Sequence, residues 1–212
     1  VGRWRLHRKM THTPALDAYW MPFTPNRQFK QTPRLVVSAE GLSYRTADGR
    51  EVLDGTSGLW CVGAGHRHPR IAEAMKRQID VLDFASSFQV GHPLAFELAE
   101  RLGALAPPGL DRVFLVNSGS EACDTALKIA LAYWAARGEG QRTLLGGRER
   151  GFHGVGFGGL AVGGMVNNRR AFAAVLPRAD HLRSTWDPST QAFVRGQPSV
   201  GAEMADELED RI

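Results

Sequence analysis

Residues 113–121 read Val-Phe-Leu-Val-Asn-Ser-Gly-Ser-Glu, an apolar run followed by a polar turn that contains one glycine. A continuous apolar run bounded by polar residues predicts a strand, Val113–Val116, that is buried on both faces. The alanine-rich segment Glu121–Arg137 predicts a helix closed by Gly138, and Arg142–Leu145 predicts a second strand. The order strand, helix, strand indicates an α/β fold with a right-handed crossover in a mainly parallel sheet.

The residues before this unit predict a small antiparallel segment and two flanking helices. Three short β-like runs, separated by turns that contain glycine, are typical of a meander: Arg34–Ser38, Leu42–Arg45 and Glu51–Leu53. Pro69–Leu82 and Pro93–Leu105 each place their apolar residues on one helical face, so both predict helices. The glycine-rich residues 56–68, between the last β-like run and the first of these helices, predict a loop.

The residues after the crossover predict mostly irregular structure with two helices. Gly151–Gly164 contains seven glycines, so it predicts an irregular segment. Asn168–Leu176 predicts a short helix, Pro177–Pro198 a loop, and the acidic stretch Ser199–Ile212 another helix.

Composition narrows the functional class. The net charge of +4 arises within Val1–Lys9, which carries four basic residues and no acid, so the charge does not point to nucleic-acid binding. No apolar run approaches the roughly 20 residues that span a bilayer, so we expect no membrane partner and a cytoplasmic location. Cys61 and Cys123 lack a neighbouring cysteine, which favours two small buried apolar residues over a zinc or disulfide site.

The turn at Asn117–Glu121 is the first candidate site. The first turn of a helix has free backbone N–H groups and the positive end of the helix dipole. Gly119 allows close approach of a ligand, and Ser118 and Ser120 add hydroxyl donors, which together suit a phosphate. The absence of a Walker lysine disfavours a nucleoside triphosphate. The pattern equally fits an ordinary capped helix with Ser120 as the N-cap.

The glycine-rich segment after the second predicted strand is the second candidate. Ligands of open α/β sheets bind at the carboxyl ends of strands, so this segment and the Ser118–Ser120 turn could line one crevice. Phe152 could stack on a planar cofactor, or simply pack in the interior. Gly154 to Gly159 also matches GxGxxG, with Asp180 further on. A dinucleotide site needs a helix directly after that motif, and the following residues are too rich in glycine to predict one.

Aromatic residues in loop-like segments form a third candidate. Phe23, Trp60 and Phe88 could line an apolar substrate pocket, although each taken alone is better explained by core packing.

Taken together and in this order, several segments resemble the class III, pyridoxal-phosphate-dependent aminotransferases, and most closely the ω-amino-acid:pyruvate (β-alanine:pyruvate) branch. The segments cover most of the chain from Leu16 to Asp210 and are Tyr19–Arg27, Asp54–Cys61, Gly65–Pro69, Asn117–Asp124 and Gly147–Gly159. The resemblance implies the N-terminal portion of a fold type I enzyme. Residues 1–15 would be a basic tail, 16–68 an N-terminal segment, and 69–212 an incomplete cofactor-binding domain.

The resemblance also implies roles for individual residues. Ser118, Gly119 and Ser120 would hold the phosphate of pyridoxal 5′-phosphate. Phe152 stands where the family has tyrosine, so it would stack on the pyridine ring without donating a hydrogen bond, with His153 beside it. Leu59 and Trp60 would line the substrate pocket with Phe23 nearby, and Phe88 would reach the pocket of a partner subunit in a homodimer or homotetramer.

One departure from the family pattern limits the expected activity. The resemblance places the Schiff-base lysine, the aspartate that pairs with the pyridine nitrogen and the arginine that binds the substrate carboxylate beyond residue 212. The four lysines present, Lys9, Lys30, Lys76 and Lys128, have no family-like context. The expectation is an amine and pyruvate transaminase that is truncated and inactive alone. The alternative is a non-catalytic phosphate-binding or cofactor-binding fragment.

Overall fold

The structure, a computed structural model, describes residues 15–211 and divides into one unit that ends at Ala95 and another that begins at Phe96. The basic residues of the tail lie outside the described part of the chain. The predicted domain limits at residues 15 and 68 stay predictions. None of the helices within residues 15–211 is both long enough and apolar enough to cross a bilayer.

The first unit contains the predicted antiparallel meander. After a short helix, α1 (Asn26–Gln31), the strands β1 (Val36–Glu40), β2 (Ser43–Thr46) and β3 (Glu51–Leu53) pair in the order β1-β2-β3. Tyr44 lies opposite Ala39 on one side and Val52 on the other. The β2–β3 turn has Gly49 at a φ of +87°, a conformation that glycine adopts without steric cost.

The two helices predicted before the crossover are confirmed. A one-turn segment, α2 (Ser57–Trp60), precedes α3 (Pro69–Val81) in the first unit. The next helix, α4 (Pro93–Leu105), begins at the end of the first unit, and most of its residues belong to the second. Pro69 occupies the first helical turn of α3, where its missing N–H costs nothing.

The second unit is an α/β arrangement around a parallel sheet. Its elements are α5 (Gly119–Ala136), β4 (Leu145–Glu149), α6 (Phe157–Val162), β5 (Gly163–Gly164), α7 (Val166–Arg169), β6 (Ala179–Leu182) and α8 (Pro188–Gln191), with 3₁₀ turns at Arg170–Val175, Ala202–Met204 and Asp206–Arg211. The strands pair in the order β5-β4-β6, with both pairings parallel. The α/β class and the parallel sheet are therefore confirmed, and the buried apolar residues of this unit include Leu160, Ala161 and Val162 of α6.

The predicted strand Val113–Val116 is wrong. No strand within the described residues pairs with it, and Phe114 is 68% exposed. A parallel strand exists only through its hydrogen-bonded neighbours, so an apolar run without such neighbours does not become one. The second predicted strand is displaced, because the observed β4 starts at Leu145, the last residue of the predicted run.

Other assignments from the sequence also need correction. The glycine-rich segment contains α6 and β5, because burial of Leu160–Val162 and a contact with α5 compensate for its poor helix propensity. The predicted loop Pro177–Pro198 contains β6, which pairs with β4. The acidic stretch after Ser199 forms 3₁₀ turns instead of one helix, consistent with repulsion among its neighbouring carboxylates. Cys61 is exposed and Cys123 half-buried, so neither is the buried residue that we expected.

Candidate cofactor and substrate site

The start of α5 is built by a serine cap. Ser118 is the N-cap, with an extended backbone, and its Oγ accepts a hydrogen bond of 3.1 Å from the amide of Glu121. The Glu121 carboxylate turns back and accepts a bond of 2.9 Å from the amide of Asn117. This is close to the reciprocal capping box of helix N-termini. The cap is thus Ser118, and the expected cap at Ser120 is wrong because the helix begins one residue before it.

The next two amides are open. Within residues 15–211, the backbone N–H groups of Gly119 and Ser120 donate no hydrogen bond. A Cβ built on Gly119 would meet no atom within 4 Å, so no other described segment packs against this position. Two unpaired donors at the positive end of an 18-residue helix can bind an anion such as a phosphate.

The loop between β4 and α6 lies against this end of α5. The Oγ of Ser120 accepts a hydrogen bond of 3.2 Å from the amide of Val155. The hydroxyl keeps its own proton, so Ser120 can still donate to a ligand. Phe152 is 52% exposed and His153 is exposed, and both line a small pocket of about 10 Å³. The structure therefore brings the loop that carries these two residues to the predicted phosphate site.

The larger cavity of the second unit, about 420 Å³, contains none of the predicted site residues. It is lined by residues of α5 and of the sheet edge, namely Asp124, Leu127, Lys128, Leu131, Thr143, Leu145, Gly158, Pro177 and Arg178. Lys128 is exposed on this side of α5.

The predicted substrate residues belong to the first unit and are all exposed. The exposed fractions are 74% for Phe23, 63% for Leu59, 83% for Trp60 and 88% for Phe88. Packing in a core therefore does not explain Phe23, Trp60 or Phe88, contrary to the expectation for each of these three taken alone.

The segment that carries Leu59 and Trp60 has an unusual backbone. Ser57, Gly58, Leu59 and Trp60 have consecutive φ values of +52°, +60°, +58° and +71°, which makes α2 one turn of left-handed helix. The left-handed conformation costs roughly 1–2 kcal/mol for each residue that has a side chain. Such strain persists only where the surroundings hold the chain in place, and it concentrates at functional sites.

Asp54 is the residue that holds this turn. Its side chain is 4% exposed, and Oδ2 accepts hydrogen bonds of 2.7 Å both from the amide of Gly58 and from Nε2 of His66. Oδ1 accepts from the amide and the hydroxyl of Thr56. The hydroxyl of Tyr44 donates to the same carboxylate, and its ring lies 4.5 Å from that of His66.

These bonds set the ionisation of the cluster. Burial alone would raise the pKa of Asp54, but the hydrogen bonds from Thr56, His66, Gly58 and Tyr44 outweigh it and hold the pKa well below its usual range. Burial, and then the hydrogen bond to Asp54, raise the pKa of Tyr44. Asp54 is thus a carboxylate throughout the neutral range.

A pH-dependent loss of stability tests this assignment. Because the pKa of Asp54 in the folded chain lies below its ordinary value of 3.8, the ionised group stabilises the fold above about pH 4. This contribution is lost as the pH falls toward the folded-state pKa. We expect Asp54→Asn to make the urea midpoint at pH 7 and the urea midpoint at pH 3 more nearly equal than they are in the parent chain. Asp48→Asn is the control, since the Asp48 side chain is 60% exposed in a turn and should change that difference less.

Sequence reasoning missed four residues that hold these segments in place. Asp54, His66 and Tyr44 hold the left-handed turn, and Asp124 accepts a hydrogen bond from the amide of Gly159. For two of them the sequence held a partial signal of a turn, since Asp54 begins a stretch with two glycines and His66 follows Gly65. Periodicity alone does not identify such residues, because their partners lie up to 35 positions away in the sequence.

Comparisons with known proteins give the family. The family model described as "Aminotransferase class-III" matches residues 24–210. An omega-aminotransferase of Caulobacter vibrioides is 58% identical over 92% of this chain and 44% of its own length. A beta-alanine–pyruvate aminotransferase of Pseudomonas aeruginosa is 48% identical over 91% of this chain and 43% of its own.

A solved structure agrees in fold. The omega transaminase of Pseudomonas jessenii, in complex with PMP, superposes with a TM-score of 0.82 at 28% identity, over 92% of this chain and 43% of its own. The chain thus spans under half the length of the relatives that it matches. With a family model that covers nearly the whole chain and these identities, the chain belongs to the class-III aminotransferases.

Proposed function

We propose that the chain is part of an ω-amino-acid:pyruvate transaminase and that it supplies the phosphate-binding end of the cofactor site. The observation that carries the proposal is the pair of open amides at Gly119 and Ser120, beside the loop of Phe152. The family uses pyridoxal 5′-phosphate, and the Pseudomonas jessenii relative was solved with PMP. Binding of the cofactor by this chain is the proposal.

The residues present fit the phosphate end of that cofactor. The amides of Gly119 and Ser120 and the two serine hydroxyls would donate to the phosphate oxygens, where the helix dipole also favours negative charge. Phe152, half exposed, would lie against one face of the ring and exclude water from it. Lacking a hydroxyl, Phe152 would orient the ring by packing alone. His153 would stand beside it.

When bound, the cofactor supplies the electron sink that transamination requires. The reaction also needs a base that moves a proton, which the family takes from a lysine. Two lysines of this chain are already engaged: Lys30 donates to the carbonyl of Asp17, and Lys76 pairs with Glu73 at 2.6 Å. Lys128 is exposed and lines the large cavity instead. We therefore infer that residues 15–211 bind the cofactor without supplying the base.

The names of the relatives support a substrate class, and the family resemblance supports a homo-oligomer. The Pseudomonas aeruginosa relative is named for β-alanine and pyruvate, so we propose the same substrate class, an amine or ω-amino acid and pyruvate. Leu59 and Trp60 would form one wall of the substrate pocket, with Phe23 close to it. Phe88 would reach the pocket of a second subunit in a homodimer or homotetramer.

Two measurements test the proposal. The chain incubated with pyridoxal phosphate, β-alanine and pyruvate should form no alanine above a control without protein. Titration of the same chain should show saturable, reversible binding of pyridoxal phosphate and competition by inorganic phosphate. Failure to bind either anion would contradict the assignment of the phosphate site.

A negative charge introduced at the site supplies the matched variant. Gly119→Asp places a carboxylate at the open amides, and an acid in the first helical turn does not destabilise α5. We expect binding of both anions to fall below detection while the helical circular dichroism is kept. Gln141→Asp makes the same change of charge at an exposed position outside the site and should bind like the parent chain.

The alternative function is a non-catalytic phosphate-binding module. Trapping with borohydride distinguishes both of these non-catalytic functions from a complete enzyme, because only an imine between the cofactor and a lysine is fixed by reduction. Turnover with trapping would contradict both. Tighter binding of pyridoxal phosphate than of inorganic phosphate favours part of a transaminase, and equal binding of the two favours the phosphate-binding module.

A further inference from the structure

The glycines of the GxGxxG pattern need an explanation other than a dinucleotide. A Cβ on Gly154 would lie 2.6 Å from the Cα of Ser120, and one on Gly156 would overlap the carboxylate of Asp124. A Cβ on Gly159, the third glycine of the pattern, would overlap the carbonyl oxygen of His153 and lie 3.4 Å from Oδ1 of Asp124. Gly154 and Gly156 are thus required because the backbone of this segment touches α5, and Gly159 because the segment folds back on itself.

Asp124 makes the strongest polar contact across this interface. Its Oδ1 accepts a hydrogen bond of 2.6 Å from the amide of Gly159. Gly159 is the third residue of α6, and the N-cap of α6 is Gly156, which has no side chain to cap the helix. The carboxylate of Asp124 therefore takes the place of the missing cap, at the end of the helix where negative charge is favoured.

Two contacts one helical turn apart fix the segment to α5. Ser120 and Asp124 lie on the same face of α5 at i and i+4, and they accept from Val155 and Gly159, which are also four residues apart. The bond to the carboxylate is the shorter and, being charge-assisted, the stronger of the two. Phe152 lies just before this doubly held stretch.

We propose that Asp124 is a positioning residue, which ties the segment of residues 151–159 to α5 and thereby holds Phe152 and His153 at a fixed place relative to the open amides of Gly119 and Ser120. The proposal deepens the proposed function and rests on it for the identity of the ligand. Asp124 itself does not touch the phosphate or the ring. Its effect is to fix, before the ligand binds, the distance between the amides of Gly119 and Ser120 and the ring of Phe152.

Hydrogen exchange of the Gly159 amide tests the tie directly. In Asp124→Ala the amide loses its acceptor, and we expect its exchange to accelerate about tenfold or more. Asp124→Asn keeps an acceptor oxygen and should restore most of the protection. The amide of Ala132, in the middle of α5, reports whether the helix is intact and should not change. Unchanged exchange of Gly159 in Asp124→Ala would overturn the proposal.

Binding of two probes separates positioning from a general structural role. Asp124→Ala should weaken the binding of pyridoxal phosphate about tenfold, because Phe152 is no longer preorganised to contact the ring. Inorganic phosphate needs only the amides and should bind as before. Equal weakening of both probes would overturn the positioning role, since the variant would then have damaged the phosphate site itself. If the parent chain binds neither probe, the proposed function fails, while the exchange experiment still decides whether Asp124 holds the segment.

Discussion

Gly147→Ala is expected to unfold the second unit of the chain. Gly147 lies in the middle of β4, and a Cβ built on it would overlap the carbonyl oxygen of Val162 and lie 2.8 Å from its carbon. Both groups are backbone, so no side-chain rotation relieves the clash, and β4 must separate from the end of α6. We expect a loss of about 3 kcal/mol or more, at the upper end of the cost of overpacking.

The neighbouring glycine provides a matched control. Gly146 lies in the same strand, and a Cβ at this position would meet no atom within 4 Å. Gly146→Ala should change stability by less than about 1 kcal/mol, because it adds only a methyl group in open space. Urea unfolding followed by circular dichroism measures both variants. Equal stabilities would contradict the close approach of β4 and α6.

Replacing the apolar face of α3 is expected to raise the soluble yield of the chain several-fold. Ile71, Met75 and Ile79 follow one another on that face and are 50%, 62% and 62% exposed. A contiguous exposed apolar face favours association between molecules. The triple change to glutamine should also reduce binding of a hydrophobic dye. Stability should stay within about 1 kcal/mol, because exposed side chains contribute little to the fold.

The other faces of α3 supply the control for this prediction. Changing Arg70, Glu73 and Arg77 to glutamine replaces three exposed side chains on the same helix without removing apolar surface. We expect no gain in soluble yield from this variant. A gain equal to that of the apolar-face variant would show that association does not involve that face.

Local signals in the sequence were enough for the helices and the meander. Pro69 and the apolar spacing after it located α3, and α4 was predicted with its observed limits. The meander was predicted from three short β-like runs and the glycine-containing turns between them. The turn at Ser118–Ser120 was also identified, because a helix start with glycine and hydroxyl residues is a property of neighbouring positions.

The sequence by itself therefore determined the α/β class, the family and the helix start that presents the open amides. Only the tertiary structure decided that Val113–Val116 is not a strand, that α6 forms within a glycine-rich stretch, and that Ser57–Trp60 turn in the left-handed sense. Helices and tight turns are stabilised by residues within a few positions of one another, so their signals are local. Parallel strands, the turn held by Asp54 and the segment held by Asp124 depend on partners that are distant in sequence, and folding alone brings these together.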